Sequence, residues 1–99
     1  MKKRYRVRIT ESGRRDIEQI FSYISHDSEN NARKFIIELE KLIYSLESYP
    51  ERNPFIPENE LLSTRYRHFI VGDYRVIYRV SGGSVYILRI IHGARLLEL

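Results

Sequence analysis

Apolar and polar residues recur along this chain with two periods. Tyr5 to Ile9 alternates with Arg4, Arg6 and Arg8, the period-two pattern of a strand over residues 4–9. The period then lengthens: Ile17, Ile20, Phe21 and Ile24 recur at helical spacing, which predicts a helix over 11–25. Thr10 stands where its side-chain oxygen can accept from a free N–H of the first turn, and Glu11 suits the positive end of the helix dipole. His26-Asp27-Ser28 breaks the pattern, and Asp27 or Ser28 can cap a second helix over 28–49. That helix carries Ala32, Phe35, Ile36, Leu39, Leu42, Ile43 and Leu46, an apolar stripe of about 100° or more. Pro50 disfavours helix at the residue before it. The link between the helices is short, so an antiparallel hairpin is expected.

Residues 50–64 contain Pro50, Pro54 and Pro57 and read as a surface loop. Three strands follow, over 65–71, 74–80 and 85–91. Gly72-Asp73 and Gly82-Gly83 separate them and suit two-residue hairpin turns, where glycine supplies the positive φ cheaply. The order is β-α-α-β-β-β. Helices and strands are grouped, which predicts the α+β class: a helical hairpin packed on one face of a largely antiparallel sheet. With 99 residues, 42% of them hydrophobic, the whole of 1–99 is expected to fold as one domain.

Composition narrows the chemistry. Cysteine is absent, which excludes disulfides, thiolate catalysis and sulfur-ligated zinc. His26, His68 and His92 are far apart in sequence, so neither a metal site nor any other cofactor is expected. No apolar run approaches the roughly 18 residues of a membrane span. Met1-Lys2-Lys3-Arg4 is followed by alternation instead of an apolar block, so a cytoplasmic location without membrane contact is expected.

Net charge is +4, and its distribution is uneven. Residues 1–9 and 65–97 hold eleven basic residues and one acid, Asp73, whereas 10–64 hold six basic residues and eleven acids. If the two ends fold together they form one cationic surface, which draws phosphate backbones or an acidic protein. Helix charges such as Glu11 with Arg15, Arg14 with Glu18, Glu29 with Arg33 and Lys34 with Glu38 are spaced as surface pairs.

Arg65, Arg67, Arg75, Arg79, Arg89 and Arg95 are candidates to line a phosphate groove. Alternation puts Arg75 and Arg79 on one face and Tyr74, Val76, Tyr78 and Val80 on the other, the core face; Arg65 and Arg67 share a face of their own strand. Tyr66, Tyr74, Tyr78 and Tyr86 read either as half-buried core aromatics or as stacking platforms. His92 ends the last strand. Its imidazole could exchange protons near neutral pH, or it could simply hydrogen-bond the neighbouring backbone. His68 reads as an exposed strand residue, and His92 to Leu99 as an exposed tail that a target could reach.

Tyr66 to Val80, with Val85 to Arg95 and the helix segment Asp16 to Ile24, resembles the RelE/ParE superfamily of toxins from type II toxin–antitoxin systems. The resemblance runs over nearly the whole chain and implies the fold given above. It implies a toxin held by a cognate acidic antitoxin in a hetero-oligomer, of the type that stabilises plasmids and arrests growth. Two activities share the fold. RelE-like members cut mRNA on the ribosome without a metal, and ParE-like members poison DNA gyrase. Against the RelE-like nuclease positions, Arg67 matches a strand lysine, Arg75 a strand arginine and Arg95 the arginine after the last strand. Phe69 stands at the second lysine, although a one-residue gap puts His68 there, and the tyrosine those nucleases carry beyond the Arg95 position would fall past Leu99. The ending His92-Gly93-Ala94-Arg95 and the long hairpin are closer to ParE. The resemblance therefore favours gyrase inhibition by direct binding, with mRNA cleavage as the alternative. Expected target contacts are Arg75, Arg79, Arg89, His92 and Arg95. Expected antitoxin contacts are Arg65, Arg67, Arg75 and Arg79. In the nuclease case the reacting groups are Arg67, Arg75, His92 and Arg95.

Overall fold

A computed structural model describes residues 3–98. Strand β1 (Arg6–Ile9) leads through Thr10 into helix α1 (Glu11–Ser25), followed by α2 (Glu29–Tyr44). Short 3-10 turns at Ser45–Glu47 and Pro50–Arg52 and a four-residue helix α3 (Asn59–Leu62) carry the chain to β2 (Arg67–Val71), β3 (Tyr74–Ser81) and β4 (Ser84–His92). The sheet runs β1-β4-β3-β2. Its β2–β3 and β3–β4 pairs are antiparallel, and β1 lies parallel to β4. This is the expected α+β architecture, and its one parallel pairing brings the two basic ends of the chain side by side.

Local chemistry sets the boundaries. Thr10 Oγ1 accepts from Gly13 N at 3.1 Å and also donates to the Ile87 carbonyl at 2.7 Å, so the cap ties α1 to β4. A Cβ at Gly13 would meet the Ile87 oxygen at 2.9 Å, so only glycine permits this approach. Ser28, the second of the two candidate caps, accepts from Asn31 N. Gly72 and Gly82 take φ of 58° and 59° in the turns joining Val71 to Tyr74 and Ser81 to Ser84.

Some boundaries differ from the sequence expectation. The second helix stops at Tyr44, not near Tyr49, although its apolar stripe continues to a fully buried Leu46. The Arg52 guanidinium donates to the carbonyls of Ser45, Ser48 and Tyr49, satisfying acceptors a helix end leaves free, and Tyr49 takes a φ of 50°. The first strand begins at Arg6, because Tyr5 N bonds to Glu47 O beside it. Strand β2 begins at Arg67, because Asn59 holds Tyr66 at both backbone groups.

The sheet buries residues on both faces. On the helix side Ile20, Leu39, Ile43 and Leu46 pack on Val76, Tyr78, Val85, Ile87 and Ile90. On the outer side Ile56 and Leu97 pack on Ile77 and Ile91. The last residues are therefore no exposed tail. Leu97 is 5% exposed, worth roughly 1.5–3 kcal/mol of apolar burial, while Arg95 and Leu96 stay at the surface and Leu99 lies outside the described residues. The 50–64 segment is likewise not only a loop, since Ile56 belongs to this second core.

Candidate functional site: the sheet arginines and the strand-end histidine

The structure divides the six candidate arginines by what they touch. Arg75 is 4% exposed and faces the outer core, on the same side as Ile77. Its Nη1 donates to Glu58 Oε1 at 3.1 Å, and its Nη2 pairs with Glu58 Oε2 and donates to the Arg95 carbonyl at 2.8 Å. Glu58 Oε2 also accepts from Leu97 N at 2.8 Å. The pair thus clamps segment 95–97 onto the sheet. The Arg75 hydrogen bond, with help from Leu97 N, holds the Glu58 carboxyl down from 4.5 to about 2, against the opposing effect of burial. The expectation of a free Arg75 on an open sheet face is not met, because the outer face at this end is itself covered.

His68 sits beside this clamp, with Nδ1 at 3.2 Å from Arg75 Nη1. Burial first, and then the Arg75 charge, lower its pKa. It is half-buried, not the exposed strand residue the alternation suggested.

Arg89 is engaged as well. A β-bulge gives Ile77↔Arg89 and Tyr78↔Ile87, leaving Leu88 without a partner on β3. Strand β1 covers β4 only as far as Ile87, and α1 takes over the remaining edge. There Asp16, 8% exposed, accepts from Arg89 Nε at 2.7 Å, Arg89 Nη2 at 3.2 Å and Ile90 N at 2.9 Å. The hydrogen bonds that Arg89 donates to Asp16 raise the Arg89 pKa.

The remaining cations are freer. Arg67 donates to the Asn53 carbonyl at 2.6 Å and lies 4.0 Å from the Phe55 ring centre, with Arg65 at 5.6 Å from the same ring. Arg79 lies 4.2 Å from the Tyr86 ring centre. Arg95 is exposed at the mouth of a hollow of about 170 Å³ that it shares with Asp16, Gln19, Tyr23, Tyr74 and His92.

His92 is exposed, accepts from Ala94 N at its Nδ1 (3.2 Å) and sets its ring edge against Tyr74 at 5.9 Å. This geometry matches the local hydrogen-bonding reading. Tyr74 and Tyr78 lie in the helix-side core with their OH pKa raised by burial; Tyr78 also donates to the Pro50 carbonyl.

Register shows which groups can meet. His92 pairs with Tyr74, so the two share a face, and Arg75, next along β3, projects from the opposite one. Arg67 pairs with Tyr78, four residues or about 13 Å along β3 from Tyr74. Arg67, Arg75 and His92 therefore do not converge on one point. Arg95 meets Arg75 through its backbone and borders the His92 hollow with its side chain. Among the described residues, no three His, Asp or Glu side chains group as a metal site, and no helix is long and apolar enough to cross a membrane.

Two residues of the arrangement, Asp16 and Glu58, are not among the candidates the sequence offers. Asp16 does carry a signal, since it lies four residues before Ile20 on the buried face of α1. Glu58, in the proline-containing stretch, carries none.

A helical hairpin on one face of a β1-β4-β3-β2 sheet, with the C-terminal segment folded back on the other, defines a small toxin of the RelE/ParE type. More narrowly, the chain belongs to the ParE toxin family of type II toxin–antitoxin systems, parDE, which it matches over residues 7–97. Among solved structures it is similar to a chain of the chromosomal ParDE toxin–antitoxin system from P. aeruginosa, at 17% identity and a TM-score of 0.71, covering 89% of this chain and 95% of that one. It is also similar to a chain of the toxin–antitoxin complex RelBE2 from Mycobacterium tuberculosis, at 25% identity and a TM-score of 0.60, covering 93% and 94%. No curated protein matches the sequence.

Proposed function

We propose that this ParE-family toxin inhibits DNA gyrase by direct contact and is neutralised by a cognate acidic antitoxin. The observation that carries the reading is the dispersal of the groups RNA cleavage would need. Arg75, which would stabilise a developing phosphorane, is ion-paired with Glu58, while His92 emerges on the other face with its Nδ1 already accepting a backbone N–H. A contact inhibitor needs no such convergence. Arg79, Arg95 and His92 are the groups offered to the target; Arg89 takes part from its Asp16 pairing, and Arg75 acts indirectly by holding segment 95–97 in place. The two solved relatives come from toxin–antitoxin assemblies. An acidic antitoxin would find Arg65, Arg67 and Arg79 accessible at the sheet, and charge complementarity there would speed association in low salt.

The test sets purified toxin with gyrase and supercoiled DNA beside toxin with translating ribosomes. Gyrase-dependent DNA cleavage with intact mRNA supports the proposal. Cut mRNA with no effect on gyrase replaces it with the endonuclease reading.

A further inference from the structure

We infer that Arg6, Arg8, Arg79 and Tyr86, at the uncovered end of the sheet's outer face, form a binding surface for the phosphodiester backbone of nucleic acid. The inference shares Arg79 with the gyrase reading but does not rest on it, because it concerns direct contact with the polymer and not the choice of enzyme target.

Register builds the surface. Arg8 pairs with Tyr86 across β1 and β4, and Tyr86 pairs with Arg79 across β4 and β3, so three side chains form one row on one face. The face is the outer one, since the alternating residues Val7, Ile9, Val80, Val85 and Ile87 all pack into the helix-side core. Ile56 and Leu97 cover the other end of this face, at Ile77 and Ile91. Strand spacing sets Arg8 and Arg79 about 10 Å apart at their backbones, with Arg6 about 7 Å further along β1. The Arg79 guanidinium lies over the Tyr86 ring, which fixes its plane and leaves its N–H groups for a ligand.

Charge pairing separates the patch from the other end of the outer face. Arg4, Arg15, Arg33, Arg75 and Arg89 each meet a carboxylate. Among the described residues Arg6, Arg8 and Arg79 meet none, and neither do Arg14, Arg52, Arg65, Arg67 and Arg95, but Arg6, Arg8 and Arg79 share one end of the outer face. Asp73, the lone acid of the basic segments, sits in the β2–β3 turn, at the opposite end of β3 from the patch. Three unpaired guanidiniums on a flat surface complement phosphates, each able to give a forked pair of hydrogen bonds. Protein interfaces draw most of their binding energy from a few buried anchors, often aromatic, so a protein held at this patch would extend beyond it. The patch is bordered by Ser81 and Ser84, and the exposed large apolar residues such as Tyr23, Ile37, Tyr44 and Leu61 lie elsewhere.

The experiment measures fluorescence anisotropy of the full chain, freed of antitoxin, with labelled duplex DNA, single-stranded DNA and RNA of equal length across ionic strength. Polyglutamate serves as the acidic-protein probe. The triple variant Arg6→Ala, Arg8→Ala, Arg79→Ala should flatten the slope of log K against log salt by about 2–3 on duplex DNA, since each phosphate contact contributes about 0.9. The corresponding lysine triple should keep the slope, and Arg15→Ala should change nothing. Unaltered thermal melting of the triple variant would show that folding is intact. Preference among the three polymers identifies which nucleic acid the surface takes. Equal slopes for wild type and triple variant would overturn the inference, as would binding of polyglutamate without binding of any nucleic acid. Nucleic-acid binding without any effect on gyrase would keep this inference and remove the gyrase reading.

Discussion

Replacing Glu58 by Gln keeps the side-chain shape and removes its charge, leaving Arg75 buried without a counter-ion. The size of the effect follows in two ways. The Glu58 pKa falls from 4.5 to about 2 on folding, and each unit is worth about 1.4 kcal/mol, which gives about 3 kcal/mol at neutral pH. Breaking a buried ion pair at one partner typically costs about 3–5 kcal/mol, in the same range. The sign is fixed by the direction of the shift. A carboxyl with a depressed folded pKa contributes fully above its unfolded value, and the contribution fades as pH falls from about 4.5 through about 2. Urea unfolding of wild type and Glu58→Gln at a series of pH values measures this. The difference should be about 3 kcal/mol at pH 7 and roughly half that at pH 3. A penalty below 1 kcal/mol at neutral pH, or one that does not change with pH, would refute the clamp.

Two further outcomes follow from the same geometry. Leu97→Ala should destabilise the domain by about 2–4 kcal/mol, lowering the melting temperature by roughly ten degrees or more, because it opens the outer core of Ile56, Ile77 and Ile91; a melting temperature within a degree or two of wild type would show that the segment is not docked. His92→Ala should cost roughly 0.5–1.5 kcal/mol of stability for one exposed hydrogen bond and leave toxicity nearly intact; a loss of about 10²–10⁴ in activity would mark His92 as a proton-transfer group and favour RNA cleavage.

Local signals are legible in this sequence, and long-range ones are not. Thr10 and Ser28 cap the helices because capping depends on neighbours two or three residues away. The two glycine turns and the three last strands follow for the same reason. The apolar stripe carries the second helix too far because Leu46 continues it, while the true end depends on Arg52 folding back to collect carbonyls. Alternation puts Arg75 and Arg79 on one face, as the register does, yet alternation carries no sign that half of that face is covered. The cover comes from Ile56 and Leu97, at opposite ends of the β2–β4 meander, and neither has a periodic context to announce it.

The same limit decides which arginines can serve a target. The sequence groups Arg75 and Arg89 with Arg79, because all three lie in acid-poor strands. Each of the first two meets an acid brought from the acidic middle of the chain, Glu58 at a separation of 17 residues and Asp16 at 73. Arg79 meets an aromatic ring instead, and the topology adds Arg6 and Arg8 to it through the parallel pairing of β1 with β4. A count of basic residues by segment therefore overstates the free charge at one end of the outer face and understates it at the other. What remains available to an anionic partner is set by where the fold delivers its carboxylates. Here that leaves the β1–β4–β3 row as the cationic end of the outer face, opposite the end where Glu58 and Arg75 are spent on holding Leu97.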